Sequence, residues 1–180
     1  MTVFVAVLHS IVLPKGRLVM SDLKDMAIGL GLGDPRTFLA TGNLIFTAES
    51  DATELETRLE DAFEKRFGKH IDFVVRSAGD WQRMAAANPF QDDVAERVMV
   101  RIQRIPLPDG TVAALEPYRP DSDVVRIVGG DLWVRFGGKP SESRLLGALT
   151  TKKLGVGTSR IWNTVRRLNC LLGDLLDEVE

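Results

Sequence analysis

The sequence predicts an α+β protein made of two β-α-β-β-α-β units in tandem, followed by one further helix. Three observations carry this. Segments with strand-like and helix-like apolar spacing follow that order between residues 2 and 76, and nearly the same order from residue 96 onward. Each half has a hairpin signal at its centre, Gly42-Asn43 in the first and Gly129-Gly130 in the second. A long amphipathic stretch is left over once the second unit has been counted. The pattern is a ferredoxin-like unit duplicated at a period of about ninety residues, visible in element order rather than residue identity. It predicts a first subdomain over 1–76, a helical linker over 77–95, a second subdomain over 96–162 and a C-terminal helix over 163–180.

In the first half, residues 2–9 place Val3, Val5 and Val7 on one side and Phe4, Ala6 and Leu8 on the other. A strand apolar on both faces is central and covered. The cover for its second face could be the other half, an added helix or a second copy of the chain. Ser21 reads as the cap of a helix carrying Leu23, Met26, Ala27 and Leu30, and Gly31 as its end. "RTFLATGNLIFT" reads as two strands about Gly42-Asn43. Asp51 with Glu54 resembles a capping box ahead of Leu55, Leu59, Ala62, Phe63 and Phe67 on one helical face, closed by Gly68. Residues 70–76 alternate Ile71, Phe73 and Val75 inward as a strand. Ser77 with Asp80 caps a short helix that Asn88-Pro89 stops.

The second half repeats this order. Residues 96–104 are a strand with Val98, Val100 and Ile102 on one face, and "PDGTVAALEPY" holds one short helix. "SDVVRIVGGDLWVRF" is the hairpin. Ser141 opens a helix through Leu145, Ala148, Leu149 and Leu154, ended by Gly155, and "TSRI" is a last short strand. Asn163 or Thr164 caps the final helix, whose stripe is Val165, Leu168, Leu172, Leu175 and Val179, with Ile161 and Trp162 packing as the approach.

Composition narrows the function classes. With 44% hydrophobic residues over 180 positions, the chain can bury a substantial core. A net charge of −2 makes the whole molecule no electrostatic partner for nucleic acid, so only a local patch could serve. Cys170 is the single cysteine, which excludes an internal disulfide framework. The N-terminal apolar run lacks a basic leader and reads as a buried strand, and no stretch approaches the length of a membrane helix. The expectation is a soluble cytoplasmic protein.

No catalytic constellation stands out, and no metal or cofactor is expected. The glycines of "GLGLGD", 29–34, end a helix rather than open one, so they do not make a dinucleotide fingerprint. "PKGR", 14–17, lacks Walker spacing. His9 and His70 sit at strand ends without local partners at metal spacing, and Cys170 has no histidine near it in sequence. Two features remain. From Lys139 to Leu172 there are seven basic residues against one acid, Glu142. Arg160 stands before a helix N-terminus, a position that suits a phosphate or carboxylate. Lys152, Lys153, Arg160, Asn163 and Thr164 are therefore the candidate anion-binding residues. The second feature is the 123–136 hairpin, where strand parity puts Arg126, Trp133 and Arg135 on one face. Arg101 would join them from the neighbouring strand, giving half of a base-stacking platform.

The wording also resembles a known family. "RLLGALTTKKLGVGTSRIWNTVRRL", 144–168, is similar to the closing block of domain-of-unknown-function family sixteen-ninety-seven, with Arg160, Trp162, Asn163 and Thr164 its most specific part. "VMSDLKDMAIGLGLGDPRTFLATGNLIF", 19–46, and "VVRSAGDWQRMAAANPF", 74–90, resemble earlier blocks. The resemblance implies a bacterial α/β protein of two ferredoxin-like halves and implies no activity. "HSIVLPK", 9–15, departs from the family's R-G-I-N-V-G-G, so any ligand site that relatives carry there is altered here. The leading expectation is a non-enzymatic binding or interaction protein whose basic C-terminal region accepts an anionic small molecule or phosphate. The alternatives are a single-stranded nucleic-acid binder and a small-molecule enzyme working between the halves. A homodimer is compatible with all three.

Overall fold

The computed structural model describes residues 1–179, with Val179 in its backbone alone. The described chain forms two compact units, residues 1–81 and residues 82–178. Each carries a four-stranded antiparallel sheet, and the two are duplicated ferredoxin-like subdomains followed by a C-terminal helix.

The first unit runs β1 (Thr2–Leu8), β2 (Val12–Leu13), β3 (Gly16–Arg17), α1 (Met20–Gly29), β4 (Gly33–Thr37), β5 (Asn43–Ala48), α2 (Ala52–Phe67) and β6 (Phe73–Ser77). The sheet order is β4-β5-β1-β6. Phe4, Ala6 and Leu8 of β1 join Leu23, Met26, Leu55, Leu59, Phe63, Ile71, Phe73 and Val75 in one apolar core. Val3, Val5 and Val7, on the other face, are buried too, as a doubly apolar strand requires.

Local signals explain most of these elements. The Asp51 carboxylate accepts from the Glu54 amide, and Gly68 closes α2 at φ 72°. Two details differ from expectation. α1 starts at Met20 with Val19 before it and no side-chain cap, so Ser21 lies inside the helix. The Val19 carbonyl accepts from Asp22 and Leu23 instead, and Asp22 complements the helix dipole. The β4–β5 connection is a five-residue loop, 38–42, rather than a two-residue turn. Asn43 begins β5, and its amide donates to the Phe38 carbonyl and Thr41 Oγ1 at 2.8 and 2.7 Å, bracing the loop from outside.

Helix α3 (Ala78–Ala86) follows, capped as expected by Ser77, whose Oγ accepts from the Asp80 amide. The second unit then has β7 (Val98–Gln103), α4 (Thr111–Leu115), β8 (Val124–Val128), β9 (Asp131–Arg135), α5 (Thr151–Leu154), β10 (Gly157–Ile161) and α6 (Trp162–Val179). Its sheet order, β10-β7-β9-β8, repeats that of the first unit strand for strand. Gly129 and Gly130 both take positive φ, as a two-residue hairpin turn with right-handed strand twist requires.

The predicted helix from Ser141 to Leu154 is not continuous. Two single 3₁₀ turns, Pro140–Glu142 and Leu146–Ala148, and the four-residue α5 capped by Thr150 take its place. Leu145, Ala148, Leu149 and Leu154 still enter the core with Met99, Leu132, Val134 and Phe136. Gly147 and the Thr150-Thr151 pair, all poor in a helix interior, break the backbone without breaking the apolar contacts. The final helix begins at Trp162, so Asn163 and Thr164 sit in its first turn rather than at its cap. Val165, Leu168 and Leu172 are buried as predicted, and Leu175 is half-buried. Val179, the last member of the predicted stripe, has its side chain outside the described residues.

Candidate functional site

The register of the second sheet decides the hairpin question. Trp133 pairs with Val100 on one side and with Arg126 on the other, whereas Arg101 pairs with Leu132. Facing residues share a side of the sheet, so Arg101 lies on the face opposite Trp133. The expected four-residue platform does not assemble. Trp133 is fully buried, and Trp162 of α6 meets it edge-on at 5.8 Å. Arg126 is exposed and donates to the neighbouring Val125 carbonyl. Arg135 lies 3.9 Å from the Asp93 carboxylate.

Arg101 is only 2% exposed. Its Nε donates to Gln103 Oε1, and its terminal nitrogens donate to the carbonyls of Leu149 and Gly155. Gln103 Nε2 donates to the Leu154 carbonyl at 2.7 Å, while the Gln103 amide donates to Asp131 Oδ1. Burial holds the Arg101 pKa below that of a solvated guanidinium. These two side chains supply donors to backbone carbonyls that the broken 140–154 segment leaves without helical partners. A Cβ on Gly157 would run into the Gln103 side chain, which explains glycine at the start of β10.

The basic stretch divides in two. Arg160 is 8% exposed rather than partly open, and its side chain donates to Thr158 Oγ1 and the Ser159 carbonyl at 2.9 Å. Desolvation lowers its pKa to about 10. Asn163 Oδ1 accepts from Arg166 at 2.7 Å, its amide donates to Glu96, and Thr164 is half-buried beside it in the same turn. Trp162 keeps only a minor part of its surface exposed. Lys152 and Lys153, by contrast, are exposed, and the Lys153 ammonium lies 3.5 Å from the centroid of the Tyr118 ring. Lys139 and Arg144 are exposed as well. None of these four cations has an ion pair among the described residues.

Among the residues with little claim in the sequence, Cys170 is exposed on α6. Gly31 takes positive φ in the turn after α1, and Gly16 takes it where β3 leaves the Pro14-Lys15 turn. His70 is different. It lies just before β6, with Nε2 at 3.0 Å from Asp72 Oδ1 and Nδ1 at 3.7 Å from Glu64 Oε2. One ligand atom each from Glu60, His70 and Asp72 fall within 4.8 Å of one another. The hydrogen bond that Asp72 accepts raises the His70 pKa, burial opposes it, and the charges of Asp72, Glu60 and Glu64 add to the rise. Sequence spacing concealed this group because Glu60 and Glu64 lie across the Gly68 turn. The readable signals were one helical turn between two glutamates and the alternation His70-x-Asp72.

Residues 1–133 match the family described as a protein of unknown function, DUF1697, and the chain belongs to that family. The block at 144–168, whose wording looked most specific, lies beyond the matched segment. Among solved structures, the chain is similar to the conserved bacterial protein SP0830 from Streptococcus pneumoniae, at 18% identity over 95% of this chain and 98% of that one, with a TM-score of 0.77. That likeness concerns the fold. No curated protein matches the chain. Among the described residues no helix is long and apolar enough to cross a membrane.

Proposed function

We propose that this chain is a non-enzymatic binding protein that accepts an anionic partner, a phosphate or carboxylate compound, on the basic stretch at 139–153. The observation that carries the reading is the set of four exposed cations without ion pairs among the described residues, Lys139, Arg144, Lys152 and Lys153, against Glu142 alone in that stretch. Exposed charges of one sign that are left unpaired attract a counter-charge from solution. The ammonium of Lys153 rests on Tyr118, which orients it at little entropic cost. Arg160, Asn163 and Thr164 support the sheet edge and the first turn of α6 in this reading, and they do not touch the anion.

The test is heat denaturation with added phosphate against chloride at equal ionic strength. Phosphate should raise the wild-type Tm, and the double substitution Lys152→Glu, Lys153→Glu should abolish the rise while leaving the Tm in chloride nearly unchanged. A phosphate effect no larger than that of chloride, or one that survives the double substitution, would remove the basis of this proposal.

A further inference from the structure

We propose that Glu60, His70 and Asp72 form a binding site for a borderline divalent transition-metal ion of the zinc type, with Glu64 as the residue that orients His70. The site belongs to the first unit and is independent of the anion proposal above. Its residues come from two elements whose relative placement the fold settles. Glu60 and Glu64 lie one turn apart on α2, and His70 and Asp72 lie on the extended segment entering β6. Phe73 packs edge-on against Phe63 of α2 at 5.8 Å, and its amide donates to Glu60, which holds the segment beside that helix.

The geometry suits an ion of this size. Bonds of about 2.0–2.2 Å at near-tetrahedral angles leave ligand atoms roughly 3.3–3.6 Å apart. His70 Nε2 and Asp72 Oδ1 are 3.0 Å apart, and all three ligand atoms already fall within 4.8 Å. Small side-chain rotations close the remainder. Glu60 is held in place by the Phe73 amide, which donates to its Oε1 at 3.0 Å. The ion takes the Nε2 lone pair of the neutral ring, any second proton of an imidazolium passing to water, and the one proton left on Nδ1 points at Glu64 Oε2, 3.7 Å away, giving the carboxylate–imidazole–metal arrangement that fixes a ligating ring. One imidazole and two carboxylates favour zinc-type ions over magnesium or calcium, which seek oxygen alone. Three protein ligands leave at least one position open to water or a small anion.

The experiment uses the full chain with Cys170→Ser, so that the exposed thiol cannot bind zinc. Affinity is read by competition against a chromophoric chelator, and geometry by the visible spectrum of the cobalt-loaded protein. One equivalent of zinc should bind, with no displacement by excess magnesium. His70→Ala and Asp72→Asn should each weaken binding by more than about 100-fold, beyond the range for orienting residues. Glu64→Gln should weaken it about tenfold and leave the cobalt spectrum unchanged. His9→Ala should have no effect. Circular dichroism in chelator checks folding, and the isosteric Asp72→Asn carries the test should His70→Ala fail to fold. Zinc binding that survives these substitutions is an adventitious ion only and overturns the proposal, as does equal affinity for magnesium.

Discussion

The two units share a sheet order and differ in what lies across it. In the first, β1 presents Phe4, Ala6 and Leu8 to regular helices, including the sixteen residues of α2. In the second, the corresponding strand β7 presents Met99, Arg101 and Gln103 to short turns. A regular helix pairs its own carbonyls, so the strand beneath it can be wholly apolar. A broken segment does not, and the strand beneath must carry donors that reach the carbonyls of Leu149, Leu154 and Gly155. The comparison teaches that duplication preserved the strand order, while the hairpin connection and the helical layer diverged, the latter together with the side chains that face it.

The largest expected effect is in the apolar unit. Phe63→Ala, at a fully buried site, should cost about 3–5 kcal/mol in denaturant unfolding, and Trp133→Ala should cost a similar amount in the second unit. If either loses less than 1 kcal/mol, its core is not packed as described. Next comes Arg101→Met, which keeps the bulk and removes the donors. Each of the two carbonyls left without a donor costs about 1–3 kcal/mol, so a loss of roughly 2–6 kcal/mol is expected. Hydrogen exchange should quicken at the amides of 150–155 before it does so in β7. Equal acceleration in both would mean that Arg101 supports the whole sheet rather than the broken segment. A smaller loss, about 1 kcal/mol, is expected for Asp51→Ala at the cap of α2. The smallest is Lys152→Ala, within about 0.5 kcal/mol, as for other exposed side chains without a structural partner.

Local chemistry made much of this fold legible. The Gly129-Gly130 turn, the Asp51 cap, the Gly68 stop and the burial of Ile71, Phe73 and Val75 each depend on a few residues, and each appears in the structure where the sequence put it. The failures are non-local. Leu145, Ala148, Leu149 and Leu154 have spacing that fits one helix, yet the backbone between them is broken and only their burial was foreseeable. Arg101 was assigned to the Trp133 face because parity along one strand does not reveal its register with the next, and a one-residue shift exchanges the faces. Arg160 looked like a surface charge because composition does not distinguish a solvated cation from one inside a sheet. The Glu60, His70 and Asp72 group left only partial signals, since the Gly68 turn separates its members in sequence.

One feature of the first unit bears on how the molecule avoids others of its kind. β6 is an outer strand of its sheet, and Glu56 and Glu60 of α2 accept from the amides of Val75 and Phe73 at 3.0 Å. An outer strand with unpaired amides is a template on which a further extended chain can add and propagate. Here both amides are already taken by carboxylates on a long helix lying alongside. A second chain approaching that margin would have to displace two hydrogen-bonded anions before forming its first rung. The margin at β6 is thereby closed to strand addition and to the fibrillar growth that follows from it.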